Sequence, residues 1–255
     1  MASLIETWVQ VPADSGAMDV LVVAPDAGTP LPGVVHCHSF VGITDYRLEA
    51  VRRLAREGFV VALPDLFHRL GRRKNFSLPA QENDAVAAAG SLSFFDMAVD
   101  TRLALNVLLQ QPAVRRSSVG VVGYGMGGTV AFIAACAHRD LKAASIAYSR
   151  NIVVANTTPG RPISPLLLIS QLNCPVQFLS SAGDRVPSPA DVELIQAHAK
   201  RYGKRFEREL YESDPPVGHA FMEEDIPGCY NAAAATWAFA LQREFLARTL
   251  GVDER

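Results

Sequence analysis

The chain has 255 residues, 49% hydrophobic and 20% charged, a balance that suits one folded core and is too apolar for a disordered segment. Its 24 Lys and Arg against 26 Asp and Glu leave a formal net charge of −2, so it lacks the concentrated positive excess of a nucleic-acid binder. No basic start leads into a long apolar run, no stretch is apolar for long enough to span a bilayer, and Cys37, Cys136, Cys174 and Cys229 form no CxxC pair. These features argue against a secretory leader, a membrane segment, a disulfide framework and structural zinc.

In chain order, two β-rich segments, 6–11 and 18–24, flank the turn Pro12-Ala13-Asp14-Ser15-Gly16. A Gly/Pro-rich bend at 28–32 leads into a buried-strand run at 33–38. Leu48, Val51, Leu54 and Ala55 stand at helical spacing and predict a helix over 46–57, ended by Gly58. The next strand, 59–63, stops at Pro64, and 65–80 reads as a long irregular loop. The basic clusters Arg52-Arg53 and Arg72-Arg73-Lys74 read as solvated helix and loop faces. A helical pattern covers 85–110, with room for a break at Gly90 and Ser91. A short strand at 118–122 runs directly into Gly123-Tyr124-Gly125-Met126-Gly127-Gly128 and a small-residue helix over 129–138. Strands at 143–148 and 175–180, a helix at 189–202, a strand at 205–211 and a last helix at 230–250 complete the order. Strands alternating with helices of this length imply an α/β fold with a mainly parallel sheet covered on both faces.

The stretch 119–128 carries the most chemistry. A strand that ends in Gly-x-nucleophile-x-Gly and turns at once into a helix is the nucleophile elbow of α/β-hydrolases. The residue at its tip takes a strained backbone conformation, and the next N–H, here that of Met126, points into the oxyanion hole beside the positive helix terminus. Gly123, Gly125 and Gly128 also satisfy the GxGxxG spacing of a dinucleotide turn. Against that reading, the turn lies near mid-chain and no acidic residue ends the next strand, which runs into Tyr148-Ser149-Arg150. Asp184, after the strand at 175–180, and His219, after the last strand, then complete the chain order nucleophile, acid, histidine.

At this point a resemblance is recognisable. GYGMGG resembles the GYCLGG-type elbow of dienelactone hydrolases (carboxymethylenebutenolidases). Gly183-Asp184-x-Val186-Pro187 and Gly218-His219-x-Phe221 look like that family's Asp and His loops, and the segment 54–66 is similar to its helix-strand-loop signature. The resemblance covers nearly the whole chain from Val34 and implies an α/β-hydrolase fold over residues 1–255 as a single domain. It implies Asp184 and His219 as triad members, Met126 and Ser39 N–H groups as oxyanion donors, and a lactone, ester or polyketide-like carbonyl substrate. Three positions depart from the pattern: Gly125 where the family carries Cys or Ser, His38 where it carries a Glu that interacts with the cysteine, and Glu223 where it uses an arginine for the substrate carboxylate.

Gly125 has three readings: a nucleophile replaced by mutation, a non-catalytic ligand-binding relative, or a site that keeps the His219–Asp184 dyad as a general base without a covalent nucleophile. The last suits noncovalent hydrolysis, cyclisation, isomerisation or carbon–carbon cleavage. His36 and His38 alternate along one strand and share a face, which with Asp65 and His68 leaves a metal site open, although pocket or core histidines are the commoner outcome. His38 is expected at the active-site mouth as an auxiliary acid/base or substrate contact. Tyr124, Tyr148 and Arg150 are expected to line the pocket, and Cys37 to point away from His38. The expectation is a cytoplasmic enzyme with a small-molecule substrate, no cofactor or metal, and no nucleic-acid or membrane partner, its oligomeric state left open.

Overall fold

A computed structural model describes residues 3–252 apart from 155 and 159. Eight strands form one sheet in the order β1-β2-β4-β3-β5-β6-β7-β8. β1 (Leu4–Ala13) and β2 (Gly16–Pro25) make an antiparallel hairpin, and β2 pairs antiparallel with β4 (Val60–Pro64). From there β3 (Leu31–Cys37), β5 (Val114–Tyr124), β6 (Ala143–Ala147), β7 (Val176–Ser181) and β8 (Phe206–Tyr211) run parallel. This is the mainly parallel α/β-hydrolase sheet, in which the crossovers require helices on both faces.

One face is covered by α1 (Asp45–Arg56) and α6 (Ala232–Leu250), whose Val51, Leu54, Phe245 and Leu246 pack on Val34, Val61 and Val122. The other is covered by α2 (Glu82–Ser91), α3 (Phe94–Gln110), α4 (Met126–Ala137) and α5 (Pro189–Arg201), packed on Val35, Val121, Ile146 and Phe178. Each fully buried Val, Leu or Phe contributes about 1.5–3 kcal/mol relative to an exposed position. α4 crosses the sheet centre and is buried from Met126 to Cys136, which explains why its sequence is apolar all round rather than striped. The starts of the helices are set locally: Thr44, Ser93, Ser188 and Asn231 each accept a backbone N–H of their own first turn. The break expected near Gly90 separates α2 from α3 at Leu92 and Ser93.

Two surface readings are corrected. The buried face of α1 carries Arg47, Val51, Leu54 and Ala55, while Leu48 is only half-buried; the stripe lies one residue round the helix from the apolar count, because a charge occupies one of its inward positions. Arg73, read as solvated, closes onto the buried Asp19 carboxylate at 2.5 Å, while Arg72 reaches the same carboxylate at 2.6 Å with its side chain still 65% exposed. No helix among the described residues is long and apolar enough to cross a membrane.

Candidate active site

The C-terminal ends of the parallel strands deliver three loops to one place. β5 turns into α4 through Gly125, which has φ 55° and ψ −116° and donates its N–H to Ala147 O at 3.1 Å. The turn is sterically closed on both sides: a Cβ at Gly123 would lie 2.1 Å from Gly127 O, and one at Gly127 would lie 2.3 Å from Cys37 O. At Gly125 the situation reverses, since the only described heavy atom within 4 Å of an added Cβ, beyond its chain neighbours, is His219 Nε2, at 3.8 Å.

His219 is held by Asp184, whose Oδ2 lies 2.9 Å from His219 Nδ1, while its Oδ1 accepts the Val186 N–H at 2.9 Å. Asp184 is buried and the His219 side chain is 27% exposed at the cavity. With Nδ1–H given to a carboxylate, the free lone pair sits on Nε2, facing Gly125. The Asp and His loops are locked together, because Gly183 donates to Val217 O at 3.0 Å and Ser181 Oγ donates to Gly218 O at 3.0 Å. A Cβ at Gly183 would meet Val217 O at 2.6 Å, so this contact needs glycine.

These groups open onto a cavity of about 310 Å³ whose wall includes Ser39, Gly125, Met126, Arg150, His219 and Glu223. Its apolar side comes from Phe40, Phe94, Ile226 and, on α2, Val86 and Ala89. Of the residues expected at the site, Asp184, His219, Gly125, Met126, Ser39 and Arg150 are therefore brought together.

The other three are not in its wall. His38 is fully buried, its Nδ1 bonded to Ser39 O at 2.8 Å and its Nε2 accepting the Leu66 N–H at 3.1 Å. Both ring nitrogens are used, and burial pushes its pKa down to about 4, so it is a strut for the Ser39 peptide rather than a substrate contact. The strand ends at Cys37, and period-two alternation fails beyond it: His36 packs edge-on against Tyr124, His38 against Phe67. Among the described residues no three His, Cys, Asp or Glu side chains converge as a metal site. Tyr124 points to the opposite side of the elbow, bonded to Gln242 at 2.7 Å, and lines a separate cavity between α1 and α6. Tyr148 lies beneath the site, its ring 5.2 Å from that of His219 and its backbone at φ 37°, a left-handed conformation that a non-glycine residue holds only under tertiary constraint. Cys37 faces Thr101 at 3.5 Å and burial pushes its thiol up to about 12, which leaves it no thiolate near neutral pH.

Sequence reading missed a buried ion pair. Arg47 and Glu223 are both buried, and Arg47 Nη2 bonds the Glu223 carboxylate. Burial works against the Arg47 charge, but Glu223, Tyr46 and Asp225 nearby more than offset it and its pKa is raised. The signal available was Arg47 itself, spaced four and seven residues before Val51 and Leu54 on the inward stripe.

Comparison with known proteins agrees with this architecture. A Bradyrhizobium protein named a probable 2-oxo-3-(5-oxofuran-2-ylidene)propanoate lactonase is 27% identical over 219 residues, covering 85% of this chain and 84% of the relative. The carboxymethylenebutenolidase of Pseudomonas putida is 30% identical over 125 residues, 48% of this chain and 52% of the relative. A structure from Klebsiella pneumoniae subsp. pneumoniae MGH 78578, solved under a provisional dienelactone hydrolase name, superposes with a TM-score of 0.85 at 20% identity, covering 96% of this chain and 99% of that one; at that identity the likeness speaks to the fold. The model of the dienelactone hydrolase family matches residues 18–250, and the chain belongs to that family of α/β-hydrolase enzymes.

Proposed function

We propose that this chain hydrolyses a lactone or ester by general-base catalysis, without a covalent intermediate at position 125. The observation that carries the reading is the direction of the empty elbow: a side chain at Gly125 would point at His219 Nε2, 3.8 Å from the Cβ, with no other described atom in the way. A water in that notch meets the free lone pair of His219 and faces a carbonyl held in the cavity. Its oxygen attacks the carbonyl carbon as its proton passes to Nε2, and Asp184 holds the imidazolium that forms. Charge developing on the carbonyl oxygen is received by the Met126 and Ser39 N–H groups, neither of which donates to another described group. When the carbon–oxygen bond of the ring or ester breaks, the leaving alkoxide takes the proton back from His219.

The substrate class follows the family and the lactonase and butenolidase names of the relatives. At position 223 the cavity wall carries a glutamate paired with Arg47 in place of the family's arginine, so among the described residues the cations left to meet a substrate carboxylate in that wall are Arg150 and Arg161. A second reading, a ligand-binding protein without turnover, draws on the absence of any side chain at the tip of the elbow.

The test is hydrolysis of small lactones and p-nitrophenyl esters by the chain and by His219→Ala, followed in a pH-stat and by stopped flow. The proposal expects steady turnover without a burst, no acyl adduct by mass spectrometry on rapid quench, and a loss of about 10²–10⁴-fold in His219→Ala. A trapped adduct on the protein contradicts the noncovalent route. Ligand binding with no turnover, unchanged in His219→Ala, selects the binding-protein reading.

A further inference from the structure

The first turn of α1 grips the histidine loop at three points. Thr44 Oγ1 donates to Asp225 at 2.5 Å, the Tyr46 hydroxyl donates to Met222 O, and Arg47 Nη2 donates to Glu223. The same Arg47 nitrogen also lies 3.3 Å from Ser39 Oγ. Ser39 and Glu223 both stand in the cavity wall although they lie far apart in the chain; the Ser39 hydroxyl reaches the Glu223 carboxylate, and Arg47 braces both.

Arg47 is an expensive way to make that tie. Its guanidinium is fully buried between the Tyr46 and Tyr124 rings, 5.6 and 5.1 Å from their centroids, and its Nε and Nη1 have no partner among the described residues. A buried ion pair of this kind is commonly matched or exceeded in stability by well-packed apolar residues of similar volume. Packing alone therefore does not account for it.

We propose that Arg47 is a positioning residue of the active site, holding Ser39 and Glu223, and through them the oxyanion loop and the histidine loop, in register. The inference rests on the proposed role of the Ser39 N–H and deepens it. Arg47 touches no substrate; it acts by fixing the peptide at residue 39 relative to His219.

The decisive variant is the neutral double replacement Arg47→Met with Glu223→Leu, because Arg47→Met alone strands a buried carboxylate and threatens the fold. Three quantities are read on it and on the parent: melting temperature, kcat and KM for the best lactone or ester, and calorimetric affinity for a benzylphosphonate monoester, a noncovalent mimic of the tetrahedral anion. The expected result is a melting temperature at or above that of the parent, with kcat and phosphonate affinity each lower by about 10²-fold, the scale of an ångström-sized misplacement, and KM nearly unchanged. A double variant that retains parental kcat and phosphonate affinity overturns the proposal. If the parent neither turns over nor binds the phosphonate, the functional reading has failed separately. Amide exchange then decides the clamp: at least 10-fold faster exchange at Ser39 and across 219–225, with the sheet unchanged, supports it, and unchanged exchange at those amides overturns it.

Discussion

Restoring a nucleophile at Gly125 is the most direct perturbation the geometry allows. A Cβ there lies 3.8 Å from His219 Nε2, so the next atom outward, Oγ of Ser or Sγ of Cys, falls within or near the ~2.6–3.2 Å reach at which a base activates a nucleophile. No backbone has to move to admit it, since no other described heavy atom lies within 4 Å of the Cβ beyond its chain neighbours. The cost is conformational: φ of 55° strains any L side chain by about 1–3 kcal/mol, which for a domain of this size lowers the melting temperature by roughly 2–12 °C. Gly125→Cys and Gly125→Ser are therefore expected to fold, melt a few degrees lower, and acylate. Stopped-flow hydrolysis of p-nitrophenyl acetate should show a burst equal to the enzyme concentration that is absent from the parent, and adding His219→Ala should slow acylation by about 10²–10⁴-fold. Variants that fold at the expected temperatures but give neither a burst nor, in Gly125→Cys, a His219-dependent labelling of the introduced thiol by iodoacetamide would refute the alignment of elbow and histidine.

The other predictions concern the supports of that site. Asp184→Asn keeps the shape of the dyad but removes the charge that stabilises the imidazolium, and kcat/KM should drop by about 10²–10⁴-fold with little change in melting temperature. Gly123→Ala and Gly127→Ala push a Cβ to 2.1 and 2.3 Å from backbone oxygens; each should lose more than about 4 kcal/mol in a urea titration, far beyond Gly125→Ala at about 1–3 kcal/mol. Burial lowers the pKa of His38 to about 4 and that of His36 well below its ordinary value, with Arg47 adding to both shifts. Because the folded pKa values lie below the unfolded value near 6.5, the stability these neutral rings contribute is present above that pH and is lost as pH falls towards 4. Unfolding free energy should decline by about 1.4 kcal/mol per pH unit for each ring below pH 6.5. His36→Phe, which replaces a ring whose nitrogens have no partner among the described residues, should remove about half of that slope; a slope unchanged by the substitution would show that His36 does not titrate as argued.

The elbow, the Asp and His loops and the sheet were legible in the sequence because each is written in local, nearly obligatory residues. Gly123 and Gly127 admit no Cβ, Gly183 cannot be crowded against Val217 O, and strand–helix alternation dictates a parallel sheet. What was not legible depended on which way a side chain turns after its element ends. His38 follows the last residue of β3 and escapes its alternation, so the count that put it at the mouth of the site failed there. Tyr124 sits one residue before the tip, and the turn itself sends it to the far face. The cavity's apolar wall on α2 and the Arg47–Glu223 pair arise from contacts between segments far apart in the chain, which spacing within one segment does not encode.

The energetics of the site point in two directions, and that contrast bears on what glycine at the tip means. At the elbow, glycine is the residue least penalised by a left-handed turn, so the strain usually stored there is absent. Elsewhere around the same cavity, stability is not maximised. Asp184 and His219 hold a carboxylate out of water, Arg47 and Glu223 bury a full ion pair with two guanidinium nitrogens unpartnered among the described residues, and Tyr148 keeps a left-handed backbone beneath the histidine. Each of these is a feature that apolar or glycine replacements would relieve. A scaffold relaxing towards an inert fold has no physical reason to release strain at one atom of the site and retain it at three others that surround it. The proposed route through a water nucleophile supplies one, since it uses the notch at Gly125 and still needs the base aimed, the anion-binding peptide fixed and the two loops held together; a nucleophile replaced by mutation at that one position would leave the same surroundings, and the burst and adduct measurements separate the two.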